Sequence, residues 1–297
     1  MGGGASVETR ILRGKPLAAA MRAEVAARAA ALRDAGIVPT LAVVLVGDDA
    51  ASRIYSASIQ KAGAKLGVDV RLLELDAAIG GDGVRNALEA LGADPEVHGI
   101  IVQQPLPKDV PGDVVDALPF AKDVDGATAE SLGRLLAGRE AFAPATAQAV
   151  VEVLDRAGIA VNGRHVVIVG RSAVVGKPLA CLLLRKGDVG NATVTICHTG
   201  TSDLAAMTRT ADILVAAMGV PEAVRGDMLA EGVVAIDVGV NRVEDPGSEK
   251  GYRVTGDIAA DEATGVAAAL TPVPGGVGTL TTTIILGNAV TAAAANG

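Results

Sequence analysis

Apolar and polar positions change period several times along the chain, and each change marks an element. Residues 16–36, PLAAAMRAEVAARAAALRDAG, repeat their aliphatic side chains at helical spacing, which predicts a helix closed at Gly36. The unbroken run LAVVLVG at 41–47 predicts a strand buried on both faces and ended by Gly47, Asp48 and Asp49. A helix carrying Tyr55 follows, then strand VDVRLLELD at 68–76, helix GVRNALEALGAD at 83–94 and strand GIIVQQPLP at 99–107, whose prolines cannot continue a ladder.

From Thr146 a second series begins: helix 146–158, strand HVVIVG at 165–170, a glycine-containing turn, helix 176–187, strand ATVTICH at 192–198, helix 202–211, then strands 213–219 and 233–241. Strands alternating with helices mean parallel sheets covered by helices, so the fold class is α/β with two α/β domains, the second Rossmann-like. The predicted boundary lies between Phe142 and Thr146, after the aliphatic-poor stretch KDVDGATAES. Beyond Thr271 a glycine loop feeds one long helix expected to return to the first domain. The expected division is therefore 1–145 plus 275–297 for one domain and 146–274 for the other.

Composition narrows the function classes. A net charge of −8 and a pI near 5.0 lack the basic stripe that nucleic acid requires. No apolar run reaches membrane-spanning length and no secretory signal opens the chain, so a soluble, cytoplasmic protein is expected. The start MGGGAS fits an N-myristoylation pattern, but a flexible start is the preferred reading. Two cysteines and three histidines show no metal-ligand spacing, and no metal is expected. Two tyrosines, two phenylalanines and no tryptophan make each ring a question. Tyr55 packing on an aliphatic sheet is the plain reading of the first.

The turn GRSAVVGKP at 170–178 lies between a buried strand and a helix, where backbone amides can receive a phosphate. It is not G-x-G-x-x-G, because Ser172 stands at the second glycine. Nor is it a Walker loop, because Pro178 stands where a magnesium-binding hydroxyl belongs. A ligand-free βα turn remains open. The next strand ends in CHTGT without the acid that would bind a ribose 2′-hydroxyl, so Arg171 and Thr199 favour NADP over NAD.

The stretches VGDDAASRIYSASIQKAGAKLGV, GIIVQQPLP with KDVDG, and GRSAVVGKP with AIDVGVN and TPVPGGVGTLT together resemble the methylenetetrahydrofolate dehydrogenase/cyclohydrolase family over nearly the whole chain. The resemblance implies folate against the first domain, NADP on the second, a cleft between them, and a homodimer. It implies that Tyr55 stacks on the folate rings, that Gln103, beside Val102, tunes a lysine, and that Asp125 grips the pterin's amino edge. Pro274, Gly275 and Gly278 would close over the folate. Gly170, Arg171, Ser172, Gly176, Lys177, Pro178, His198, Thr199 and Val240 would hold the cofactor.

One departure bears on chemistry. The family's acid/base lysine falls four residues after its tyrosine, and here that position is Ile59. Lys61 and Lys65 are the nearest substitutes if the helix register differs. DGATAE, PATA and GTLT also depart from the family pattern, and Gln104 takes a position that is normally apolar. Hydride transfer is a matter of positioning, whereas hydrolysis of the methenyl cation needs general acid/base help worth about 10²–10⁴ in rate. The expected activity is thus NADP-dependent dehydrogenation with cyclohydrolase weak or lost. The alternatives are a fully bifunctional enzyme, a paralogue acting on a modified folate, and a silent folate- or nucleotide-binding protein.

Overall fold

The computed structural model describes residues 7–248 and 251–296; the MGGGAS start lies outside them. In chain order the elements are β1 (Arg10–Ile11), α1 (Gly14–Asp34), β2 (Thr40–Val46), α2 (Ala50–Leu66), β3 (Asp69–Leu75), α3 (Gly80–Ala93), β4 (Gly99–Val102) and α4 (Ala129–Leu136). They continue as α5 (Ala145–Arg156), β5 (His165–Val169), α6 (Gly176–Leu184), β6 (Thr193–Cys197), α7 (Leu204–Thr208), β7 (Ile213–Ala216), β8 (Val234–Asp237), β9 (Asn241–Glu244), β10 (Tyr252–Thr255), α8 (Ala260–Ala263), β11 (Ala269–Leu270) and α9 (Thr281–Asn296).

The chain forms two compact units. The first contains Ala19–Ala145 together with the chain from Thr282 onward. Its sheet is parallel, in the order β3-β2-β4. Every residue of β2 is buried, as a central strand covered on both faces must be. Beneath it Val84 and Leu88 of α3 meet Ala42, Val44 and Ile100. Helix α9 belongs to this unit: Asn288 donates from Nδ2 to the Val124 carbonyl at 2.9 Å.

The second unit contains Thr146–Thr281 and the N-terminal segment through Ala18. Its six strands run parallel in the order β1-β11-β8-β7-β5-β6. The chain's first strand therefore lies at the edge of this sheet and not with the residues that follow it, since Arg10 pairs with Ala269 and Ile11 with Leu270. A two-residue strand carries no period to read, so only the pairing reveals it. The loop at 271–280 also belongs here, where Gly14 donates to the Gly275 carbonyl at 2.8 Å. Outside the sheet, β9 and β10 form an antiparallel hairpin.

No helix among the described residues is long and apolar enough to cross a membrane. Among the same residues no group of three or more His, Cys, Asp or Glu side chains is placed to hold a metal ion.

Candidate functional site

In the three-stranded unit the sequence-selected residues gather at the carboxyl edge of the sheet, where α/β proteins bind ligands. Asp49 ends the turn after β2 and caps α2, accepting the Ser52 amide at 2.8 Å. The amide and hydroxyl of Ser52 hold the Asp49 carboxyl below its ordinary range. The same hydroxyl lies 3.1 Å from the Gln104 carbonyl, which ties the first turn of α2 to the end of β4. Ser52 is thus a site-building residue that the sequence reading passed over.

Tyr55 follows three residues later and is half-buried. Phe120 and Tyr252 each lie under a guanidinium, from Arg134 at 3.9 Å and Arg242 at 3.6 Å. Tyr55 has no such ring partner, and its phenol makes no hydrogen bond to a described residue. One turn on, Ile59 is fully buried, on the inward face it shares with Ser52, Ser56, Gly63 and Leu66. Lys61 and Lys65 are both exposed. The helix register therefore leaves neither lysine in the place of Ile59.

Gln103 extends the ladder past β4 by donating its amide to the Val44 carbonyl at 2.8 Å. The residue is 7% exposed; its carboxamide makes no hydrogen bond to a described residue, and because no fully buried side-chain N or O atom among the described residues lacks a partner, that remaining exposure includes its polar atoms. An accessible, unpaired carboxamide can both donate to and accept from a ligand. Val102, beside it, is half-buried. The chain 122–125 runs alongside β4, with Asp123 bridged to Ile100, so Asp125 arrives at the same edge as Val102.

One carboxylate oxygen of Asp125 accepts the Ala145 amide at 3.2 Å. That amide comes from the PATA stretch, where α5 begins. Burial pushes the Asp125 carboxyl up to about 6, against the pull of this single amide and with the push of neighbouring Asp123. The DGATAE stretch has a local role: Asp123 accepts the amides of Ala127 and Thr128, and Thr128 caps α4.

In the six-stranded unit the cofactor candidates lie at the carboxyl ends of β5, β6 and β8. β5 has β6 on one side and β7 on the other, the reversal point at which open α/β sheets form a crevice. Gly170 leaves β5 with φ +137°, and a Cβ there would sit 2.1 Å from the Ala217 carbonyl oxygen. A Cβ on Gly176 would sit 2.0 Å from the Gly170 carbonyl oxygen, so this turn accepts only glycines. The compression leaves Arg171, Ser172, Ala173 and Val174 exposed in a row.

Val175 caps α6 without a side-chain acceptor, and Pro178, in the first turn, has no amide to satisfy. Lys177 beside it is exposed. After β6, Nδ1 of His198 accepts the Gly200 amide at 3.0 Å, leaving Thr199 exposed at the tip of a tight turn. The next acid along the chain, Asp203, is engaged in capping α7. An uncapped helix start beside Arg171, Lys177 and Thr199, without a competing carboxylate, fits a phosphorylated dinucleotide. Val240, after β8, is 71% exposed.

Pro274, Gly275 and Gly278 are exposed on the loop after β11, in the six-stranded unit, while Tyr55, Gln103 and Asp125 belong to the three-stranded one. Two further residues escaped the sequence reading, the buried acids Asp237 and Asp257 at the carboxyl edge of the larger sheet.

Both halves of the chain match known proteins. Residues 12–125 match the family model for the tetrahydrofolate dehydrogenase/cyclohydrolase catalytic domain, and residues 144–297 match that for the tetrahydrofolate dehydrogenase/cyclohydrolase NAD(P)-binding domain. A relative from Nocardia farcinica, named bifunctional protein FolD, is 48% identical over 288 residues, or 97% of this chain and 98% of that protein. The crystal structure of the bifunctional FolD enzyme from Campylobacter jejuni is 37% identical, with a TM-score of 0.91 over 97% of this chain and 99% of that one. The Trypanosoma brucei methylenetetrahydrofolate dehydrogenase-cyclohydrolase, solved with NADP cofactor and inhibitor, is 34% identical with a TM-score of 0.89, covering 97% and 98% of the two chains. Matched along both units in sequence and in fold, the chain belongs to the tetrahydrofolate dehydrogenase/cyclohydrolase family.

Proposed function

We propose that this chain oxidises 5,10-methylenetetrahydrofolate to the 5,10-methenyl form with NADP⁺, and that it hydrolyses the product to 10-formyltetrahydrofolate. The observation that carries the reading is the Gln103 carboxamide, unpaired among the described residues and accessible at the edge shared with Asp125 and approached by Tyr55. A folate supplies what these groups lack: donors and acceptors on the pterin for the amide and carboxylate, and a flat ring system for the phenol. Bound NADP⁺ supplies the hydride acceptor. Arg171, Lys177 and Thr199 would hold its phosphates, and Arg171 with Thr199 favours the 2′-phosphate over a free hydroxyl.

Relatives 43–48% identical to this chain are named bifunctional protein FolD, and the 37% identical Campylobacter jejuni enzyme is named for both activities. One observation favours a slower second step: Ile59 is fully buried where the resemblance calls for a lysine. Without that acid/base group the hydrolytic step loses help worth about 10²–10⁴ in rate.

The exposed edge of β6, where Ile196 is 37% exposed, supports the expected homodimer.

The test follows NADPH formation from methylenetetrahydrofolate and, separately, the decay of supplied methenyltetrahydrofolate. Dehydrogenase turnover with hydrolysis at least tenfold slower is expected, and absence of NADP⁺ reduction would remove the assignment. Arg171→Ala should raise KM for NADP⁺ more than for NAD⁺; equal increases would deny it the 2′-phosphate.

A further inference from the structure

Two carboxylates lie against each other inside the six-stranded unit without a cationic partner. Asp257 is fully buried. Its Oδ2 accepts the amides of Met218 at 2.6 Å and Gly219 at 2.9 Å, and its Oδ1 accepts the Val220 amide at 3.0 Å and Asn241 Nδ2 at 2.8 Å. Asp237, 3% exposed, accepts the amides of Gly239 and Asp257 on Oδ1, both at 2.9 Å, and that of Ile258 on Oδ2 at 2.8 Å. No lysine or arginine among the described residues forms an ion pair with either acid.

The backbone is shaped around these oxygens. A Cβ on Gly256 would meet Asp237 Oδ2 at 1.9 Å, and one on Gly239 would meet Asp257 Oδ1 at 2.1 Å. Burial pushes the Asp237 carboxyl up to about 6 while its three amides pull it down. Holding two like charges in the interior is expensive, and apolar residues of similar volume would pack there at no such cost. What apolar residues cannot do is gather three successive backbone amides onto one side chain.

The three loops held in this way sit at one place on the sheet. Residues 218–220 follow β7, residues 238–241 follow β8, and residues 256–258 follow β10. The first begins beside Ala217, whose amide donates to the Val169 carbonyl at 2.8 Å and whose own carbonyl closes against Gly170. The turn carrying Arg171 therefore leans on a segment that Asp257 fixes. Two of the exposed aliphatic side chains, Val220 at 46% and Val240 at 71%, lie on the clamped loops and flank the same edge.

We propose that Asp237 and Asp257 are positioning residues for the dinucleotide: a back-to-back carboxylate clamp that sets the loops after β7 and β8 and presents Val220 and Val240 as apolar walls of the cofactor crevice. The proposal rests on the NADP⁺ assignment above. Neither acid touches the cofactor. Each acts through the amides it holds.

The experiment measures NADP⁺ binding to the full-length protein by calorimetry, together with KM for methylenetetrahydrofolate and the thermal midpoint. Asp257→Asn keeps the shape but turns an N–H toward other N–H donors. It should weaken NADP⁺ about tenfold, the size of one charge-assisted hydrogen bond, with folate KM unchanged within about twofold. Asn241→Ala leaves both acids in place and removes a single donor, so it should show a smaller loss in the same direction with the midpoint retained, even if Asp257→Asn does not fold. Asp257→Glu should not rescue binding, because Gly239 leaves no room for another methylene.

Unchanged NADP⁺ affinity in both Asp257→Asn and Asn241→Ala, or equal losses for cofactor and folate, overturns the clamp. Wild-type protein that fails to bind NADP⁺ overturns the cofactor assignment along with it, which sets the two failures apart.

Discussion

Replacing Asp125 by asparagine separates what this carboxyl does for folding from what it does for substrate. In the structure it is largely buried, holds one amide at 3.2 Å and lies near Asp123, so its carboxyl rises from an ordinary 3.8 to about 6. At about 1.4 kcal/mol per pH unit, that difference puts the cost of the ionised form at no more than about 3 kcal/mol, and the partial exposure of the side chain reduces it to about 1–3 kcal/mol. The sign follows from linkage. A folded pKa above the unfolded value contributes stability that is complete below about 4 and lost as the pH rises through about 6.

Asparagine is neutral throughout, nearly isosteric, and keeps an oxygen for the Ala145 amide. The Asp125→Asn protein should therefore be more stable than wild type at pH 8 by about 1–3 kcal/mol, or about 2–4 °C per kcal/mol for a domain of this size. The advantage should shrink toward zero near pH 4. Urea or thermal unfolding of both proteins between pH 4 and 8 measures it, and Asp237, common to both, cancels in the difference. KM for methylenetetrahydrofolate should rise about 10–100-fold in the same variant, from loss of a charged hydrogen bond to the pterin. A variant less stable than wild type at pH 8, or a difference that ignores pH, would refute the reasoning.

Three other outcomes can be checked. Ile59→Lys should raise methenyltetrahydrofolate hydrolysis by up to about 10²–10⁴ while lowering the melting temperature, because it buries an amine in a fully enclosed position; unchanged hydrolysis in folded protein would sink the role given to Ile59. Gly170→Ala should abolish measurable NADP⁺ binding by calorimetry, since its Cβ would lie 2.1 Å from a carbonyl oxygen; retained affinity would show that the turn yields. Asn288→Ala should cost about 1–3 kcal/mol in urea unfolding by leaving the Val124 carbonyl without its donor, and should raise folate KM by loosening the segment that carries Asp125.

Both parallel sheets were legible as aliphatic runs between helices, because a strand buried on two faces is nearly continuously apolar; β7 is so throughout and β2 is so after Thr40. The face of α2 was equally legible: a period of 3.6 residues puts Ile59 one turn after Tyr55 and turns Lys61 elsewhere. The strand β1 and the hairpin of β9 and β10 were not, being too short or too polar to show a period.

Residue type and spacing along the chain therefore determined the α/β class, the helix face holding Ile59 and the compressed glycine turn at Gly170, because each depends on neighbours within a few positions. Only the tertiary structure decided that the N-terminal strand joins the larger sheet, that the Gln103 carboxamide is left without a partner among the described residues, and that Asp237 and Asp257 turn inward onto backbone amides. Burial and hydrogen bonding are set by atoms distant in sequence, and no local pattern encodes them.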